Sequence, residues 1–175
     1  MMPFADAVRP WHDFYALVGS ASATLVGLLF VAASVGSSIY TEEKHFALRA
    51  FLSPSVVHFS SVLAACLITM IPTSSWRLTG LLIGADGLFG FVYASLVPRS
   101  MLRHGLMKSI DTEDRVWYAA LPAVAQAVLL VAGVALLRGM DMGCGVLALA
   151  MGLLLVVAIR NSWDITVWAV MRSGS

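Results

Sequence analysis

Apolar positions run through this chain in long uncharged stretches, cut by short polar or proline-containing interruptions. Read by length and absence of charge, five stretches predict membrane-spanning helices. They are Phe14–Tyr40, Ser55–Pro72, Leu78–Val97, Val116–Leu137, and a fifth from Gly143 that passes a polar patch and continues to Met171. Each cut has a local cause. Thr41 before Glu42 and Glu43 reads as an N-cap with acids in the first turn, opening a short helix to Leu52. Ser53-Pro54 is a cap followed by proline at the first helical position, which starts the second span. Pro72 with Thr73-Ser74-Ser75 ends the second span and Pro98 ends the third. Asp111 or Thr112 caps the segment leading into the fourth, and Arg138–Met142 is a tight hairpin into the fifth. The expected fold is an all-α, five-span helix bundle in one integral-membrane domain over residues 1–175, preceded by an interfacial segment at 1–13.

Lysine and arginine in the connections give an orientation. One side holds Arg9, Arg77 and Arg138; the other holds Lys44, Arg49, Arg99, Arg103, Lys108, Arg115 and Arg172. This bias puts the N-terminus outside and the C-terminus in the cytoplasm, which an odd number of spans requires. Residues 98–115 mix Met101, Leu102, Leu106, Met107 and Ile110 with Arg99, Arg103, His104 and Lys108. They read as a basic amphipathic segment on the inner leaflet, facing anionic lipid, or as an ordinary positive-inside loop. The first and fifth spans exceed what about 20 residues need to cross the bilayer. They either tilt strongly or project into the cytoplasm.

In lipid, close packing by small residues replaces hydrophobic association between helices. Gly19, Ala23 and Gly27 offer such a face on the first span, and Gly80, Gly84 and Gly90 on the third. These faces favour a compact bundle or a homo-oligomer.

Composition agrees with a bilayer environment. The 175 residues are 59% hydrophobic and 12% charged, with mean hydropathy +0.87. A formal net charge of +1 lacks the basic footprint of nucleic-acid binding. Cys66 and Cys144 lie in apolar runs without a CxxC pattern and read as packing residues. No signal peptide is expected, because Asp6, Arg9, His12 and Asp13 precede the first apolar run without an early cleavage site.

Within this frame the ionisable residues stand out. Asp86 lies at the centre of the third span, where a carboxylate costs about 2.5–3.5 kcal/mol on insertion scales. It needs a partner, a proton or water, and Gln126 in the fourth span is a candidate partner. Asp86 is either a register-fixing hydrogen-bonded group or a proton or cation site. His58 falls one turn into the second span, with no second histidine at metal-ligand spacing. Arg160-Asn161-Ser162-Trp163-Asp164 is the richest polar cluster at membrane depth, with Arg160 and Asp164 one turn apart. It reads as an interfacial anchor, or as one inner-face network gathering Arg49, His58, Arg160, Asn161 and Asp164. Trp11-His12-Asp13-Phe14-Tyr15 reads as an aromatic collar at the opposite face. There is no GxxxxGK, GxGxxG or GxSxG motif and no soluble stretch beyond about twenty residues, so no catalytic motif, cofactor or metal site is assigned.

Several of these stretches also carry a resemblance. Trp11-His12-Asp13-Phe14-Tyr15, Ala21–Val31, Arg49-Ala50-Phe51 leading to Pro54 and Val57-His58-Phe59, Trp117-Tyr118 with Pro122, and Arg160–Asp164 run nearly end to end. In them the chain resembles a group of small polytopic bacterial inner-membrane proteins of unassigned function, some labelled protease modulators. The resemblance implies a bacterial cytoplasmic membrane and brings no activity; Asp86 is not among the residues that carry it. Two expectations follow. The chain is a small oligomeric channel or permeation subunit for an ion or small solute, or an accessory subunit of a larger membrane complex such as a protease or transporter.

Overall fold

In the computed structural model, residues 2–37, 42–72, 75–103 and 116–173 are described, with side chains at 2–34, 54–72, 75–96 and 116–167 except 165. All elements among the described residues are helical. A short α1 (Phe4–Val8) passes through a 3-10 turn (Arg9–Trp11) into α2 (His12–Ser37). Then come α3 (Glu42–Thr69), α4 (Trp76–Arg103), a π turn (Val116–Ala120) leading into α5 (Leu121–Leu137), and α6 (Met142–Ser173). Four stretches are long and apolar enough to cross a membrane: Phe4–Ser34, Trp76–Leu96, Val116–Leu137 and Met142–Asp164. The apolar part of α3 is shorter, Pro54–Thr69.

Two expected boundaries are corrected. The helix does not restart at Ser53-Pro54: α3 runs unbroken from Glu42 with Pro54 inside it. Nor does Pro98 end the third helix, since α4 continues to Arg103, although its apolar span stops at Leu96 as expected. A proline inside a helix removes one backbone hydrogen bond, a defect that neighbouring helices and small local adjustments accommodate in membrane bundles. The second span stops at Thr69, before Pro72. The fifth is unbroken over 32 residues. The proposed cap at Thr41 and the caps at Asp111 or Thr112 lie outside the described residues, and the amphipathic reading of residues 98–115, like Arg49, falls on side chains outside them.

α3, α4, α5 and α6 pack in a ring, each against the next, and α2 lies outside it, mainly on α3. The α4–α5 seam is drawn together by glycine. A Cβ on Gly80 would stand 2.8 Å from the Gly133 carbonyl oxygen, one on Gly87 would meet the Leu130 backbone at 2.5–2.8 Å, and one on Gly133 would overlap the Gly84 backbone. Only missing side chains allow this approach, which gains dispersion contact where lipid supplies no hydrophobic drive. Gly19 likewise lies against Cys66, with its would-be Cβ 2.9 Å from the Cys66 Cβ. Ala23 and Gly27 do not continue that contact. Both are exposed, and nothing of this chain lies within 4 Å of a Cβ on Gly27. The reason is geometric: α2 touches the ring along one side only, and four-residue steps drift off that side.

The α5–α6 hairpin closes by a Schellman motif. Gly139, at φ 69°, donates its N–H to the Leu136 carbonyl at 2.8 Å, and Met140 donates to Ala135 at 3.0 Å. Near this end, which α2 shares, the segment expected to be an interfacial collar folds onto the bundle. Phe4, Ala7 and Val8 are buried, Phe4 meets Trp76 edge-on, and the Trp76 indole N–H donates to the Met2 carbonyl at 3.0 Å. Trp11 stacks on Tyr15, which is fully buried and donates its hydroxyl to the Cys144 carbonyl at 2.9 Å. His12 and Asp13 stay exposed and pair with each other at 3.3 Å.

Candidate functional site

The bundle has two chemically different halves. Toward the N-terminal face the ring interior is filled by Ile83, Leu129, Leu136, Leu147, Met151 and Leu154, each at 0% exposure. The free thiol of Cys66 belongs there too, 3.7 Å from the Met151 sulfur. Toward the other face the same interior carries polar groups. On α3, Ser55, His58 and Ser61 repeat every three residues and are all buried. At 1.5 Å rise per residue, Ser55 lies about 9 Å below Ser61 along the helix.

Ser61 joins three helices. Its hydroxyl donates to Asp86 Oδ1 on α4 at 3.1 Å, and it accepts from Gln126 Nε2 on α5 at 3.5 Å. The expected pairing of Asp86 with Gln126 is therefore realised through a bridging serine, not directly. Gly90, one turn from Asp86, leaves room for Gln126, since a Cβ there would overlap the Gln126 amide. The hydrogen bonds run one way, from amide to hydroxyl to carboxylate. Asp86 Oδ2 and Gln126 Oε1 remain buried and without a partner.

At the lower end of the ring, Asn161 on α6 donates Nδ2–H to the Trp117 carbonyl at 3.2 Å. The π turn explains why that carbonyl is free. In the i→i+5 register Trp117 would accept from residue 122, which is proline and has no N–H. The Tyr118 hydroxyl donates back to the Asn161 carbonyl at 3.4 Å. Asn161 is buried and its Oδ1 has no partner. Beside it Arg160 pairs with Asp164 along the helix, and its guanidinium lies 5.7 Å from the centre of the Trp117 ring.

The structure thus brings Asp86 and Gln126 together and groups Arg160, Asn161 and Asp164 around Trp117 and Tyr118. It does not link His58 to that group by a hydrogen bond or ion pair among the described residues. His58 instead lies on the ring-facing stripe of α3 with Ser55, and its Nδ1 has no partner. The single inner-face network splits into an interfacial pair and a buried polar stripe, because helical rotation turns Arg160 outward when Asn161 faces in. Arg49 lies outside the described side chains.

Among the described residues, six buried side-chain atoms lack a partner: Ser55 Oγ, His58 Nδ1, Thr79 Oγ1, Asp86 Oδ2, Gln126 Oε1 and Asn161 Oδ1. All but Thr79 belong to the middle and lower part of the ring. Three of them are oxygens that only accept when Asp86 is ionised, so the interior there calls for donors such as water or a protonated species. No group of three or more His, Cys, Asp or Glu side chains able to hold a metal exists among the described residues. Ser61 and Ser55 were legible only as a three-residue polar period through His58. The chain matches no family model, no curated protein and no solved structure.

Proposed function

We propose that this protein is a subunit of an oligomeric permeation pathway in a bacterial cytoplasmic membrane, passing an ion or small solute. The observation that carries this reading is the part-buried Asp86–Ser61–Gln126 connection with buried partnerless oxygens beside it. Interhelical hydrogen bonds in membranes average only about 0.6 kcal/mol, less than the insertion cost of the carboxylate itself, so a purely structural role leaves Asp86 unexplained. The apolar upper half offers no polar route through a single chain. The rest of the path therefore runs between copies, for which the outward small-residue positions Ala23 and Gly27 on α2 leave room. The charge bias of the connections supports an N-terminus outside and a C-terminus in the cytoplasm.

The test is flux into proteoliposomes of purified protein. Flux in the parent that Asp86→Asn or His58→Ala alters supports the reading; well-folded, correctly inserted protein that passes no ion or solute overturns it. A second reading has its own observation. At 32 residues α6 is about 48 Å long, well beyond the roughly 30 Å hydrocarbon core. An end that projects into the cytoplasm suits an accessory subunit that docks on a larger membrane complex. A stoichiometric foreign partner in a mild-detergent pull-down favours that role, and a homogeneous homo-oligomer favours permeation.

A further inference from the structure

Partnerless polar atoms in this interior are not scattered. Ser55, His58 and Ser61 wind along the buried side of α3, Asp86 and Gln126 meet Ser61 from α4 and α5, and Asn161 faces the same ring from α6 near the lower end. Buried polar atoms are almost always satisfied by protein or by ordered water, and a buried water needs two to four polar partners. A row of lone acceptors supplies such partners in succession. We propose that this row is a hydrated half-channel that carries protons between the C-terminal face of the bundle and Asp86, from which the path between copies continues. The proposal rests on the permeation reading and names its species.

The proton's course balances without any further reactant. A hydronium entering at the Asn161 end passes its proton along hydrogen-bonded water, Asn161 Oδ1 and Ser55 Oγ holding the waters by accepting from them. His58 takes a proton on one ring nitrogen and releases one from the other. The last water gives its proton to Asp86 Oδ2, leaving a neutral carboxylic acid and water. Oδ1 is held by the Ser61 hydroxyl, so Oδ2 is the atom left to titrate. The roughly 9 Å from Ser55 to Ser61 takes about three hydrogen bonds, hence about two waters, at ordinary hydrogen-bond spacing.

The surroundings favour a proton over a metal cation. Ser61 from α3 donates to Asp86 and the uncharged Gln126 from α5 donates to Ser61; His58 lies one turn below Ser61 on α3, and on Asp86's own helix Tyr93 lies two turns away. Phe14–Ser37, Pro54–Thr69, Leu78–Leu96, Leu121–Leu137 and Gly143–Ile159 contain no Lys, Arg or Glu and no Asp besides Asp86. One carboxylate, one hydroxyl already donating to it and one amide oxygen fall short of the six to eight oxygens calcium takes or the six of octahedral magnesium. Above Asp86, Ile83, Leu129 and Met151 close the row.

The experiment pairs two measurements on the intact chain in liposomes. A pH-sensitive dye reads proton movement driven by a potassium diffusion potential, and infrared difference spectra after a pH step read the carboxylic-acid carbonyl band. The expected result is proton flux in the parent, lost to the level of empty vesicles in Asp86→Asn, with a pH-dependent carbonyl band that Asp86→Asn abolishes. His58→Ala and Asn161→Ala slow the flux but keep the band. Ser61→Ala shifts the band, and since it keeps Asp86 it serves if Asp86→Asn folds poorly. Flux of sodium, potassium or a small solute without proton flux, together with a silent carboxyl, overturns the proton assignment and leaves the permeation reading standing. A titrating Asp86 carboxyl without flux of any species supports the half-channel and removes the permeation reading.

Discussion

Leu129 and Gln126 lie one turn apart on α5, equally buried at 0% exposure, yet they belong to halves of the bundle that work by opposite rules. The upper half joins glycine-lined backbones around a mostly apolar interior, where the buried hydroxyls of Tyr15 and Thr69 have backbone partners and only Thr79 Oγ1 lacks one, so close contact is most of its cohesion. The lower half holds the same helices together around groups that lack partners. Each buried unsatisfied polar atom costs about 1–3 kcal/mol, and a membrane hydrogen bond returns about 0.6 kcal/mol on average. Burial in this protein is therefore no guide to what stabilises it. The fold rests on the upper half and the α4–α5 seam, and the lower half carries a cost that only a use for its polar atoms explains.

The sharpest way to break that contrast is to fill the seam. In Gly133→Leu the new side chain meets the backbone of Gly84 and the Gly80 carbonyl, neither of which yields by a rotamer change. Overpacking of ordinary cores costs about 1–3 kcal/mol, and a backbone clash lies at or beyond the top of that range. We expect loss of the folded bundle or a large drop in its thermal transition, read by circular dichroism in detergent. Gly84→Ala is the matched control, because its Cβ finds the Gly133 Cα at an ordinary 3.9 Å. If Gly133→Leu melts like the parent, the seam is not what holds α4 to α5.

The lower half predicts the reverse. Asp86→Leu removes a group whose insertion costs about 2.5–3.5 kcal/mol, at the expense of one hydrogen bond from Ser61. Its stability should equal or exceed the parent's by about 1–3 kcal/mol while flux disappears. The measurement is reversible unfolding in mixed micelles beside the flux assay. A loss of about 2 kcal/mol or more would make the triad a structural clasp.

Much of this division was legible in the residue pattern, and the parts that were not have identifiable causes. Asp86 and Gln126 announce themselves as polar residues alone in apolar spans, so their convergence followed from depth. Ser61 does not, because a serine in a membrane helix ordinarily bonds its own backbone, as Ser95 does to the Phe91 carbonyl at 2.8 Å. Only tertiary placement turns Ser61 toward α4. Gly87 escaped because it falls between four-residue steps, although α5 reads Gly80, Gly84, Gly87 and Gly90 as one seam. The prolines misled for a different reason. Pro54 and Pro98 carry a strong stop or start signal in water, and a packed bundle overrides it when other helices steady the break. Asn161 was visible as part of a polar run, but its acceptor was not, since it depends on a π turn set against Pro122.

The smallest effect separates packing within the chain from packing outside it. Gly19 and Gly27 share α2 and stand two turns apart, yet one touches Cys66 and the other touches nothing. Gly19→Leu has to displace the Cys66 side chain and the helix behind it, for a loss of about 1–3 kcal/mol. Gly27→Leu meets open space on a helix face where leucine is well tolerated, so the isolated chain should unfold within about 0.5 kcal/mol of the parent. The informative readout for Gly27→Leu is thus mass measured in native-like lipid. With unfolding unchanged, a shift toward smaller assemblies would show that the open face of α2 meets another copy; an unchanged mass would assign that face to lipid and move the contact between copies elsewhere on the ring.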